Sequence, residues 1–118
     1  MRDYKLYLDD ILEAIKKIEK YTKGLSFQGL KKEDLVVDGI ARNLGIIGEA
    51  AKNIPRPVKE KYPDIEWKKI AGLRDILAHA YFGVDLEVLW DIVKKKPPDL
   101  KKKVSHIVKR KSNVKKRS

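Results

Sequence analysis

The chain has 118 residues, which suits one domain and is long enough to bury about two-thirds of its unfolded surface. It has no cysteine, which rules out disulfides, thiolate zinc sites and a cysteine nucleophile. Its net charge of +11 is uneven: residues 1–93 carry 16 Lys and Arg against 16 Asp and Glu, whereas residues 94–118 carry 12 against one acid, Asp99. A neutral body with a basic end points to a polyanion, RNA or DNA first, with a merely solvated helix and tail as the alternative. No apolar run approaches the ~20 residues of a membrane span and no signal-peptide core follows Met1, so a cytoplasmic protein without membrane contact is expected.

Taken in chain order, almost every segment reads as helix. Tyr4, Leu8, Ile11, Ile15 and Ile18 recur at spacings of four and three, the apolar stripe of an amphipathic helix over Asp3–Thr22, with Gly24 placed as its terminating glycine. Leu25–Lys32 reads as a connector. A second helix is expected from Glu33 to Asn53, with Leu35, Ile40, Leu44, Ile47 and Ala51 inward. Gly39, Gly45 and Gly48 weaken that helix unless they serve close approach of a neighbour. Pro55 and Pro57 stop it and open a loop to Ile65. A third helix is expected over Glu66–Ala80, broken by Gly83. A fourth would run from an Asp85 N-cap over Leu86–Lys95, and a fifth would begin at Pro97-Pro98 and carry Leu100, Val104, Ile107 and Val108. The apolar period fades near Arg110. The expected architecture is all-α, an antiparallel four-helix bundle with an additional short helix, as a domain over 1–109 followed by a basic, disordered tail over 110–118.

The chemistry concentrates in Arg74-Asp75-Ile76-Leu77-Ala78-His79-Ala80-Tyr81, which packs a fixed cation, a carboxylate, an imidazole and a phenol into eight residues. The other histidine, His106, sits among lysines and reads as an ordinary helix residue. Arg74 and His79 are five apart, about 140° around an ideal helix, so they do not share one stripe. A structural Arg74–Asp75 ion pair and a core Tyr81 remain alternatives. The set suits RNA cleavage by attack of the 2′-oxygen on the adjacent phosphorus. Imidazole serves as base or acid, a guanidinium grips the phosphate and no metal is required. A twofold dimer would bring two copies of each group to one groove.

The Arg-x4-His-x-Tyr pattern at Arg74, His79 and Tyr81 resembles the signature of HEPN ribonucleases, in the branch of HepT-like toxins. Its flanks agree: Ile46-Ile47-Gly48-Glu49-Ala50-Ala51-Lys52, Asn53-Ile54-Pro55, the run Ile65 to Asp75, and Leu89-Trp90-Asp91-Ile92-Val93. The resemblance covers about residues 3–105; the basic tail departs from it. It implies a homodimer acting as a metal-independent endoribonuclease on mRNA or tRNA, paired with an MntA-like nucleotidyltransferase antitoxin. By position it makes Arg74 and His79 the catalytic pair, Asp75 a supporting residue that orients one of them, and Tyr81 the acceptor of AMP that silences the enzyme. No resident cofactor or metal is implied.

Lys109, Arg110, Lys111, Lys115, Lys116 and Arg117 are candidates for nucleic-acid contact. Asp38, Arg42 and Glu49, spaced at four and seven, read mainly as a buried or interface polar network, with support of the cleft as the minor alternative. The alternative function is a non-catalytic helical module that binds nucleic acid or presents a substrate to a nucleotidyltransferase.

Overall fold

In a computed structural model of the chain, residues 3–75 and 86–117 are described, with side chains through residue 110. The described residues form helices joined by short turns, so the all-α expectation holds. Helix α1 spans Tyr4–Thr22 and buries Leu8, Ile11, Ile15 and Ile18 of the expected stripe together with Ala14, while Tyr4 at its start is half-buried. Asp3 caps it, its carboxylate accepting from the Lys5 amide at 3.0 Å. Gly24, with φ of +73°, turns the chain out of the helix. The connector contains one short helix, α2, Phe27–Leu30, capped by the Ser26 hydroxyl.

Helix α3, Asp34–Lys52, buries Ile40, Ala41, Leu44, Ile47 and Ala51. Leu35, expected inward, is 85% exposed. It precedes Ile40 by five residues and so lies about 140° from the buried stripe. Helices α1 and α3 run antiparallel: the Tyr21 ring near the end of α1 lies 3.0 Å from where a Cβ on Gly39 would stand, early in α3. The segment expected as an open loop holds α4, Arg56–Lys61, with Pro55 at its N-cap and Pro57 in its first turn.

The expected third helix is interrupted. Helix α5, Trp67–Ala71, tightens into a 3₁₀ turn over Gly72–Arg74, and the rest of that expected helix, from Ile76, lies outside the described residues, as do Gly83 and Asp85. Both α5 and the 3₁₀ turn pack on α3.

The largest departure is α6, one helix over Leu86–Arg117 where two helices are expected. Its 32 residues span about 48 Å, close to the 51 Å long dimension of the molecule. Pro97 and Pro98 lie inside it and withhold two backbone donors, a cost of about 3 kcal/mol or more for an interior proline. Burial offsets that cost. Leu89, Val93, Leu100, Val104 and Ile107 all face the core, at about 2 kcal/mol per large aliphatic side chain, so one stripe continues through the prolines. The backbone of residues 110–117 continues the same helix.

Candidate active site

The site begins with a glycine. A Cβ on Gly48 would stand 2.5 Å from the Arg74 amide nitrogen and 2.9 Å from the Ala71 carbonyl oxygen. Those atoms are backbone and cannot swing away, so only glycine lets α3 approach the 3₁₀ turn this closely. The expectation that Gly48 serves close packing is met here, and Gly39 serves it against Tyr21.

That approach places Glu49, the next residue of α3, beside Arg74. Arg74 donates from Nη1 to the Glu49 carboxylate Oε2 at 3.0 Å. Asp75, the expected partner, is farther: its Oδ1 lies 3.9 Å from Arg74 Nε, beyond hydrogen-bond distance. The Arg74 side chain remains 45% exposed and those of Glu49 and Asp75 more so, at 58% and 71%. A guanidinium has five N–H donors. One is committed to Glu49, which draws the group towards α3 and leaves other donors facing solvent. The arrangement offers a preoriented, fixed cation with open positions for two oxygens of a phosphate.

His79 and Tyr81 lie outside the described residues, so the structure places neither relative to Arg74. The side chains of Lys111, Lys115, Lys116 and Arg117 are also outside them, although their backbone is helical. Lys109 and Arg110 are exposed on α6. Asp38, Arg42 and Glu49 were read as a buried or interface network; all three are exposed on the chain, and Glu49 engages Arg74. The signal that could have singled out Glu49 was its position directly after the glycine on which the 3₁₀ turn packs. Among the described residues, no group of three His, Asp or Glu could hold a metal ion, and no helix is long and apolar enough to cross a membrane.

A second polar feature lies away from Arg74. The end of α4, the 62–65 segment and the second half of α6 enclose an open groove of about 650 Å³. His106, read from sequence as an ordinary helix residue, lines it together with Lys61, Tyr62, Lys102, Lys109 and Arg110.

The profile of the family described as Ribonuclease HepT-like matches residues 11–107. The chain is 47% identical over 102 residues to "Probable ribonuclease HepT" of Thermococcus cleftensis, covering 86% of this chain and 93% of the relative. It is 45% identical over 107 residues to "Gamma-glutamylcyclotransferase and putative RNase" of Methanocaldococcus jannaschii, covering 91% of this chain and 48% of the relative. The chain therefore spans about half the length of that second relative and nearly all of the first. No solved structure matches it.

Proposed function

Because the chain belongs to the HepT-like ribonuclease family, we propose that it is a metal-independent endoribonuclease whose phosphate-binding group is Arg74 and whose proton-transfer group is His79. The observation that carries this reading is the Arg74 guanidinium, held by Glu49 at 3.0 Å yet nearly half exposed. Such a cation stabilises the extra negative charge that phosphorus gains as a fifth oxygen adds to it.

In the proposed reaction a base takes the proton of the 2′-hydroxyl while the 2′-oxygen bonds to the adjacent phosphorus. The phosphorus–O5′ bond breaks, and an acid delivers a proton to O5′. The products are a 2′,3′-cyclic phosphate and a 5′-hydroxyl, and atoms and charge balance without a further reactant. Imidazole suits either proton step because its ordinary pKa lies near neutrality. One histidine per chain near the motif favours a homodimer, in which two copies of His79 and Arg74 share a cleft and act as acid and base in turn.

The toxin role belongs to the same proposal. A nucleotidyltransferase antitoxin of the MntA-like kind transfers AMP from ATP to the Tyr81 phenol oxygen, which gives up its proton as the α–β phosphoanhydride bond breaks and pyrophosphate leaves, two residues from His79. The added phosphate and adenosine would crowd the cleft and repel RNA. Asp75 sits beside Arg74 and supplies further negative charge to it.

The test is a cleavage assay on total RNA with EDTA present, comparing wild type, confirmed by mass to carry no AMP, with His79→Ala. Cleavage by wild type alone, leaving cyclic phosphate ends, is expected. No cleavage by unmodified dimeric wild type would overturn the enzyme in favour of the non-catalytic binding module.

A further inference from the structure

We propose that the groove between α4, the 62–65 segment and the second half of α6 is a docking site for the backbone of single-stranded RNA, separate from the Arg74 site. The proposal rests on the ribonuclease reading for the identity of the polyanion, and on the groove itself for its location.

The groove is built before any ligand arrives. Lys103 reaches across it, donating to the Asp64 carbonyl oxygen at 2.9 Å while pairing with Asp99 at 3.1 Å. Trp67 donates its indole N–H to the Tyr62 carbonyl oxygen at 3.0 Å, which holds the loop from the other side. Lys103 thereby neutralises Asp99, the single acid of the basic segment. Asp64 is the other carboxylate in the lining.

The remaining cations face solvent, with Lys61 Nζ also standing 5.9 Å over the Tyr62 ring. Lys61, Lys102, Lys109 and Arg110 all line the groove and are exposed, and none forms an ion pair with a described residue. Three of them stand on α6 and Lys61 on α4, so the groove joins the basic face of one helix to a cation from a second element. At about 650 Å³ the groove also exceeds the space between neighbouring surface side chains. Tyr62 and His106 contribute flat rings to the same lining, the sequence-tolerant platforms on which unpaired bases stack. Cations for phosphates with rings for bases fit a single strand better than a duplex, whose bases are already stacked.

The position favours an RNA path over a dimer contact. A twofold interface through this groove would set cations against their own copies, a like-charge juxtaposition that costs several kcal/mol. The eight residues Trp67–Arg74 lead from the groove wall to the arginine as a helical turn and a 3₁₀ turn. Their summed helical rise is roughly 13 Å, which bounds the separation at a few nucleotides. A strand held in the groove would therefore lead towards Arg74.

The probe is a fluorescent 2′-O-methyl RNA of about twelve nucleotides, within the size range of single-strand sites and lacking the 2′-hydroxyl nucleophile. Binding to the full chain is followed by anisotropy across a salt series. The variant Lys61→Gln/Lys102→Gln/Lys109→Gln is compared with Lys17→Gln/Lys20→Gln/Lys23→Gln, which removes equal charge from exposed positions outside the groove. The groove variant should lose about tenfold or more in affinity, with a salt slope shallower by about 2, from roughly 0.7 per lost phosphate contact on a single strand. The control should lose far less. In wild type the His106 ring signals, assignable because the chain has two histidines, should shift on RNA addition.

Equal losses in the two variants, or full-affinity binding with unmoved His106 signals, would overturn the groove. Displacement of the RNA by poly-glutamate at the same charge concentration would overturn RNA in favour of an acidic protein segment. Failure of the ribonuclease reading shows itself separately, as wild type that binds the probe in the groove yet leaves unmodified RNA uncut.

Discussion

The two polar regions of this protein are built on opposite principles. At the junction of α3 with the 3₁₀ turn, one cation is positioned by backbone contact, with Gly48 at the point of closest approach and one carboxylate setting its orientation. Between α4 and the second half of α6, four cations line a wide groove and none forms an ion pair with a described residue. The first region is limited by geometry and tolerates little displacement. The second is limited by charge, and each group contributes a similar, salt-sensitive increment. Substitutions at the junction should therefore change the rate of cleavage at saturating RNA, and substitutions in the groove should change affinity and its salt dependence.

The sharpest way to break this contrast is Arg74→Lys. Lysine keeps the charge but loses the planar fork, and loss of a transition-state donor ordinarily costs about 10²–10³ in kcat. A kcat within a few-fold of wild type would make Arg74 a simple charge, like the groove lysines. Next comes Gly48→Ala. Its methyl group meets backbone 2.5 Å away, so the 3₁₀ turn must move. A loss of about 1–3 kcal/mol in stability is expected, read as a lower Tm, together with lower kcat. Unchanged Tm and activity would show that the close approach is not needed.

Glu49→Ala should separate positioning from folding. Both partners are about half exposed, so the pair should contribute less than about 1 kcal/mol to stability. An arginine freed to wander should still lower kcat, by between tenfold and a hundredfold, with KM little altered. Repair of kcat by Glu49→Asp would support orientation over packing, and a change confined to KM would count against it. The smallest effect is expected at Lys101→Ala, which removes the exposed contact with Glu19 at 3.0 Å between α6 and α1. It should cost under about 1 kcal/mol by thermal unfolding, with cleavage and salt slope unchanged. A larger loss would mean that the helix is held to the bundle by charge more than by its apolar stripe.

The contrast also explains what could be read without coordinates. The stripe of α1 and its terminal glycine are local patterns, and the structure reproduces them. The charge imbalance between 1–93 and 94–118 is equally a property of the chain alone. Leu35 is 85% exposed because its five-residue offset from Ile40 turns it off the buried stripe. The two prolines were read as a helix boundary because local rules price the missing donors and cannot price the burial of Leu100, Val104 and Ile107 beyond them. The polar residues of α3 were read as a network because their spacing on one helix is visible, whereas a partner on another element is not.

The sequence by itself determined the helical class, the apolar stripes, the basic end and the grouping of Arg74, Asp75, His79 and Tyr81 within one short run. Each of these depends on residues within a few positions of one another, where the 3.6-residue period and capping chemistry act directly. Only the tertiary structure decided that Glu49 holds Arg74 across 25 positions, and that Lys103 ties α6 to Asp64 across 39 and so frames the groove. It also decided that α6 continues through its prolines. Those outcomes depend on how buried faces and close backbone contacts set helices against one another, and that packing brings together residues with no local relationship in the chain.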